Sequence, residues 1–235
     1  MRIPAIRDQV RRGGAAWALV SALALALTAC SSQTGNMGDW GQIFSLAGAA
    51  GLDRDPSITL QQAAAVPYAS LGVSIGDGSQ MMIVLATDTG GDLLWTSKAK
   101  IAITTRNGRS VRTAGLPRNL DWVTFNGVGD PLLDAARGGP PRQSVRFVDY
   151  WDLNRFSVPL SCVTVSRGED AVVILGKSIA VTRIEESCQS EALDWKFTDT
   201  FWVGSSGLVW KSRQHIHPDF DPIEIDVLRP PPSAP

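Results

Sequence analysis

Asp194-Trp195-Lys196-Phe197-Thr198-Asp199-Thr200-Phe201-Trp202-Val203, then Gly204-Ser205-Ser206-Gly207, then Leu208-Val209-Trp210-Lys211-Ser212-Arg213-Gln214-His215-Ile216-His217: this stretch decides the fold. Two alternating runs on either side of a Gly/Ser turn have the pattern of an antiparallel hairpin with one buried face. A turn at 204–207 pairs Val203 with Leu208, Phe201 with Trp210, Asp199 with Ser212, Phe197 with Gln214 and Trp195 with Ile216. One face is then apolar, with a polar patch at Asp199, Ser212 and Gln214. The other carries Lys196, Lys211, Arg213, His215 and His217 and is expected to meet water.

The same pattern runs back to Ile58. Strands are expected at Ala69–Ile75, Gln80–Thr87, Leu93–Ser97, Lys100–Arg106, Arg109–Thr113, Ser144–Asp152, Val158–Ser166, Ala171–Leu175 and Ile179–Glu186, ahead of Asp194–Val203 and Leu208–His217. A helical turn is expected at Pro131–Arg137. Many short strands with few helices between them predict an all-β fold. The form expected is an antiparallel β-barrel or barrel-like curved sheet with one or two short helices, a β-sandwich being the alternative. Asn107-Gly108 is a strong two-residue turn signal. Pairing Arg106 with Arg109 there sets Ile103 opposite Arg112, so Arg112 joins Ile101 and Ile103 on one face. A buried charge needs a partner. Arg112, Asp199, Ser212 and Gln214 are therefore a possible interior polar site, where Arg112 and Asp199 meet each other or line a cavity. The alternative is that one of them reaches the barrel mouth.

At the other end of the chain, Arg2, Arg7, Arg11 and Arg12 precede an apolar stretch ending in Leu27-Thr28-Ala29-Cys30. A basic segment, a short apolar run and small residues before a cut make a secretory signal peptide over 1–29. The apolar run is well short of the roughly 20 residues that span a bilayer. A cysteine at the cut makes a lipobox, so Cys30 is expected to carry acyl chains, and two or more of these anchor a protein stably. Residues 30–38 then form the lipidated N-terminus and a flexible tether, 39–228 a single β-rich domain, and 229–235 a Pro-rich tail expected to be unpaired. Asp39–Ala50 is expected as a short amphipathic helix. By analogy with lipoprotein sorting, Ser31 favours the outer membrane, with the domain facing the periplasm.

Loss of the leader removes four Arg and one Asp from 22 basic and 23 acidic residues, leaving a net charge of −4. No basic stripe appears, which argues against nucleic acid as a partner. Chemical motifs are weak. Gly72-Val73-Ser74-Ile75-Gly76 has the spacing of a nucleophile elbow, but a Gly-rich turn and another strand follow it in place of a helix. Asp88-Thr89-Gly90 lacks the second Asp-Thr/Ser-Gly that aspartic-protease chemistry needs. His215 and His217 share a face with Lys211 and Arg213, whose charge disfavours a metal ion. No metal, cofactor or catalytic residue is assigned. Cys162 and Cys188 are the mature cysteines besides Cys30, and in an oxidising compartment they are most simply a disulfide. Turns at Arg167–Asp170 and Gly176-Lys177 would set Cys162 opposite Leu175, so the bridge requires a bend, a bulge or barrel closure.

Several segments together resemble one family. They are Val66-Pro67-Tyr68-Ala69-Ser70-Leu71, the run Met82–Ala86 with Trp95, Gly108-Arg109-Ser110-Val111-Arg112-Thr113-Ala114-Gly115-Leu116, and Val209-Trp210-Lys211-Ser212-Arg213-Gln214 followed by Pro218. Their order and spacing resemble the YjbF/GfcB outer-membrane lipoproteins of group 4 capsule and exopolysaccharide production. The resemblance implies a closed or partly open β-barrel and a role in making or exporting a secreted polysaccharide, and it supplies no catalytic residues. The expected function is a non-enzymatic, lipid-anchored accessory protein whose partners are the membrane and either polysaccharide or polysaccharide-export proteins. A periplasmic lipoprotein holding lipid or another amphiphile in a barrel cavity is the alternative, and a glycan-acting hydrolase the third.

Overall fold

The computed structural model describes residues 57–127 and 129–232. The leader, Cys30, the tether and the helix expected over Asp39–Ala50 lie outside the described residues. Twelve strands form one sheet: β1 (Ser70–Ile75), β2 (Met81–Thr89), β3 (Asp92–Thr96), β4 (Ala102–Arg106), β5 (Arg109–Ala114), β6 (Trp122–Phe125), β7 (Arg142–Tyr150), β8 (Arg155–Ile174), β9 (Lys177–Ser190), β10 (Trp195–Val203), β11 (Val209–Gln214) and β12 (Ile223–Arg229). Two short helices accompany them, α1 (Leu60–Ala64) and α2 (Leu132–Ala136). Among the described residues no helix is long and apolar enough to cross a membrane.

The strand order is β5-β4-β3-β2-β1-β12-β11-β10-β9-β8-β7-β6, every neighbouring pair antiparallel. The edge strands β5 and β6 are consecutive in the chain, so the sheet curls until its two edges nearly meet. Across that seam the Thr113 N–H donates to the Leu120 carbonyl at 2.7 Å, and the Leu120 N–H to Thr113 Oγ1 at 2.9 Å. The result is a nearly closed antiparallel barrel, which leaves very little free edge. Its main core includes Leu71, Ile83, Trp95, Ile103, Leu160 and Ile223. The buried Trp95 indole donates to Thr105 Oγ1 at 2.9 Å.

Bulges account for most departures from the expected register, because one extra residue exchanges the faces of everything beyond it. The Asn107-Gly108 turn is present, with both residues at positive φ and Arg106 opposite Arg109. Val111 then intervenes as the extra residue, so Thr104 faces Arg112 and Ile103 faces Thr113. Arg112 is consequently exposed, contrary to its expected interior place, while Ser110, Val111 and Thr113 are buried. In the 194–217 hairpin, Phe201 faces Ser212 and not Trp210. That two-residue offset keeps Ser212 and Gln214 inward, but Trp210, expected opposite Phe201, falls in a bulge between Val209 and Lys211, and Val209 is buried where Leu208 was expected.

The turn expected at Arg167–Asp170 does not form. The strands expected at Val158–Ser166 and Ala171–Leu175 are one 20-residue strand, β8, with a bulge at Arg167 and with Leu175 already in the turn that follows. That bulge decides the cysteines. The β8–β9 turn pairs Ile174 with Lys177, a register that without interruption would set Cys162 opposite Gln189. The extra residue shifts the pairing by one, placing Cys162 directly opposite Cys188, and the two are disulfide-bonded. Beyond the bulge the tip of this hairpin folds onto the outside of the barrel, where Val172, Ile174 and Val181 pack against Trp202, Trp210 and Leu228. Two strands were not expected, β6 and β12. Since β12 runs to Arg229, which pairs with Ser70, the unpaired tail begins one residue later than expected.

Candidate functional site

The barrel interior carries an ionic cluster. Arg109, at the start of β5, is 2% exposed. Its Nε and Nη2 donate to Asp130 Oδ2 and Oδ1 at 2.7 and 3.0 Å. Its Nη1 and Nη2 also donate to Glu186 Oε2 and Oε1 at 2.8 and 3.0 Å. One guanidinium thus holds two carboxylates bidentately, a geometry that only the planar fork of Arg provides. Glu186, on β9, further accepts from Arg146 of β7 and from Thr164 Oγ1 of β8 at 3.1 Å. Arg146 Nη2 reaches Asp199 of β10 at 3.3 Å. Asp199 Oδ1 also accepts the His215 backbone N–H at 2.7 Å and lies 3.1 Å from His215 Nδ1. Phe201 and Phe125 lie against the Arg109 guanidinium, 4.9 and 5.5 Å from ring centroid to Cζ, and add cation–π attraction.

A neighbouring network is neutral. Gln214 Oε1 accepts the Ser110 N–H at 2.8 Å, and its Nε2 donates to the Gly108 carbonyl at 3.0 Å and to Ser212 Oγ at 2.8 Å. Both networks connect β5, one lip of the seam, to strands on the far side of the sheet. They hold the barrel shut.

Of the expected interior site, then, Asp199, Ser212 and Gln214 are buried inside and Arg112 is not. Arg146 takes the place by Asp199 that was expected for Arg112. Arg109, Asp130, Arg146 and Glu186 were missed, though Ile184, Glu186 and Cys188 alternate at period two and mark Glu186 as inward. His217 departs from its expected solvated place. The ladder of β11 ends at Gln214, and the chain turns inward and buries His217 completely. There its Nδ1 accepts the Asp219 N–H at 3.0 Å, leaving Nε2 to donate toward Asp152 Oδ1 at 3.3 Å. The two histidines serve different carboxylates. One group among the described residues has the elements of a metal site, Cys162, Glu186 and Cys188. Its sulfurs are joined in the disulfide and its carboxylate is held by two guanidinia.

Burial alone would raise the Glu186 carboxyl, but Arg109 and Arg146 outweigh it and bring its pKa from an ordinary 4.5 down to about 2. A carboxyl depressed on folding contributes stability that is complete above its unfolded pKa and disappears as pH falls through the folded one. The wild-type denaturation midpoint is therefore expected to fall between pH 4.5 and 2. Glu186→Gln should flatten that slope in urea titrations. Equal slopes in the two proteins would remove this cluster from the acid response.

A cavity of about 10 Å³ lies among Arg109, Arg146, Tyr150, Asp199 and Gln214, room for about one water. A concavity of about 870 Å³ forms an open trough on the outer wall of β7–β10. Two ladders of outward-facing residues border it: Gln143, Val163, Ser187 and Thr198 on one side, Val145, Ser161, Gln189 and Lys196 on the other. Between them runs the inward-facing row Ser144, Cys162, Cys188 and Phe197, whose backbone is the trough floor. The disulfide crosses the middle of this floor, where the two Cα atoms are 4.1 Å apart. Among the described residues no carboxylate lines the trough.

This nearly closed antiparallel barrel matches a lipoprotein class. The family model described as group 4 capsule polysaccharide lipoprotein GfcB, YjbF matches residues 22–228, and the chain belongs to that family. It is 29% identical to the lipoprotein GfcB of Escherichia coli (strain K12) over 182 residues, 77% of this chain and 85% of that protein. It is 26% identical to the lipoprotein YjbF of the same strain over 212 residues, 88% of this chain and 94% of that one. The crystal structure of the lipoprotein YmcC from Escherichia coli (K12) superposes with a TM-score of 0.66 at 26% identity, covering 86% of this chain and all of that one.

Proposed function

We propose that this chain is a non-enzymatic, lipid-anchored accessory protein of capsular or extracellular polysaccharide assembly or export. Acyl chains on Cys30 would hold it to the outer membrane, with the barrel in the periplasm. The observation that carries this reading is the match over nearly the whole chain to a family described by capsule polysaccharide. The site geometry supports it from the other side. The interior cavity of about 10 Å³ has room for about one water and none for a lipid, which favours a working surface outside the barrel. Glycosidases need two carboxyls flanking an accessible bond. The carboxylates brought together here, Glu186, Asp199 and Asp130, are each bound to a guanidinium and largely shielded from solvent.

Deleting the gene is expected to reduce surface polymer to background. Wild-type protein should restore it, while Cys30→Ser should fail to incorporate labelled palmitate and fail to restore it. Normal polymer in the deletion strain would end the proposal.

A further inference from the structure

We infer that the trough across β7–β10 is the site at which this protein holds an extended glycan strand, an assignment that rests on the polysaccharide role proposed above. Each bordering ladder crosses four strands, so its side chains recur at about 4.8 Å, the spacing between neighbouring strands. That is close to the repeat of a sugar ring in an extended polymer. The side chains offered are hydroxyls and amides: Ser161, Ser187, Thr198, Gln143 and Gln189. Such groups both donate and accept, which is what sugar hydroxyls require of a partner. Asn126 adds a further amide at one end. Val145 and Val163 give apolar contact for ring faces.

The charge pattern narrows the ligand. Among the described residues Lys196 is the one charged side chain bordering the trough. A polymer bearing uronate or other anionic groups therefore meets a cation and no opposing carboxylate. Ser187 Oγ and Thr198 Oγ1 are 3.1 Å apart on the ladder opposite Lys196, so a strand laid along the trough is contacted from both sides. The floor is built to stay rigid. The Cys162–Cys188 bridge lies beneath the trough, and the Arg109–Glu186–Arg146 cluster braces the inward face one pair further along β9. A preorganised floor spares binding the cost of ordering it. The other concavities fit a glycan less well. One of about 410 Å³ beside α1 is lined chiefly by apolar side chains, including Leu60, Ile174, Trp210 and Leu228. Another of about 440 Å³ lies along the seam between β5 and β6.

The test uses the full chain in detergent, with oligogalacturonate as the acidic probe and dextran oligomers as the neutral one. Wild-type protein is expected to bind oligogalacturonate more tightly than dextran. Ser187→Trp, which fills the trough, and Lys196→Glu, which reverses its charge, should each weaken oligogalacturonate binding by roughly tenfold or more. Both positions are exposed, so melting temperature should not move. No binding by the wild type overturns the assignment, as does wild-type affinity in either variant. A photo-crosslinker at position 187 that captures an export protein while no sugar binds overturns it too. Failure of the export role reads differently: the deletion strain then exports polymer normally, whatever the trough binds.

Discussion

Arg109→Ala is expected to destabilise the protein by about 3–5 kcal/mol, the cost of removing one partner from a buried ion pair. The side chain is 2% exposed and carries four of the hydrogen bonds that neutralise Asp130 and Glu186. Without it, Glu186 keeps Arg146 and Thr164, but the cluster gains an uncompensated negative charge shared between the fully buried Glu186 and the partly exposed Asp130. The loss is a large share of the roughly 5–15 kcal/mol that a typical domain has in total. For a domain of this size it corresponds to a melting temperature lower by about 6–20 °C. Arg109→Lys should recover only part of it, because an ammonium cannot hold two carboxylates bidentately. A double variant, Arg109→Met with Glu186→Leu, removes opposite charges together and leaves Arg146 facing Asp199. Asp130 loses its guanidinium in both variants but is partly exposed and keeps the Leu132 N–H. The double variant should therefore melt above Arg109→Ala even though it alters more residues, since the fully buried Arg109–Glu186 pair can often be exchanged for apolar side chains at little cost. Wild-type melting of Arg109→Ala would show that the cluster does not hold the seam.

The second large effect belongs to the disulfide. Cys162 and Cys188 close a loop of sequence separation 26, worth about 3.5 kcal/mol in the chain-entropy model. Replacing both by Ala should lower the denaturation midpoint by about that amount, with the loss of buried sulfur adding to it. The two cysteines are 2% and 4% exposed, so a mild reductant should leave the native protein oxidised. Reduction is expected only when denaturant and thiol are combined. If the double Ala variant melts with the wild type, the strand pairing of β8 and β9 suffices alone and the bridge is dispensable.

The disulfide depends on a β-bulge, and this separates what could be read in the residues from what could not. The Asn107-Gly108 and Gly204–Gly207 turns were legible because turn chemistry is local. The alternation that buries Phe197, Asp199, Phe201 and Phe147's neighbour Arg146 is local as well, and Glu186 between Ile184 and Cys188 was open to the same reasoning. Ile223-Glu224-Ile225-Asp226-Val227 alternates cleanly and marks β12. The bulges at Val111 and Arg167 carry no such mark. Each depends on how strands distant in the chain align once the sheet curls. The first turned Arg112 outward, and the second brought Cys162 opposite Cys188.

Residue chemistry alone settled that this chain is built of antiparallel strands and that Asp199 points inward, because turn preference and alternation act over a few positions. Closure of the sheet settled the remainder: that β5 meets β6, which guanidinium each buried carboxylate finds, and where an outer trough forms. Those outcomes depend on long-range register, where a single inserted residue exchanges the inside and outside of a strand, and no short stretch of sequence contains both partners.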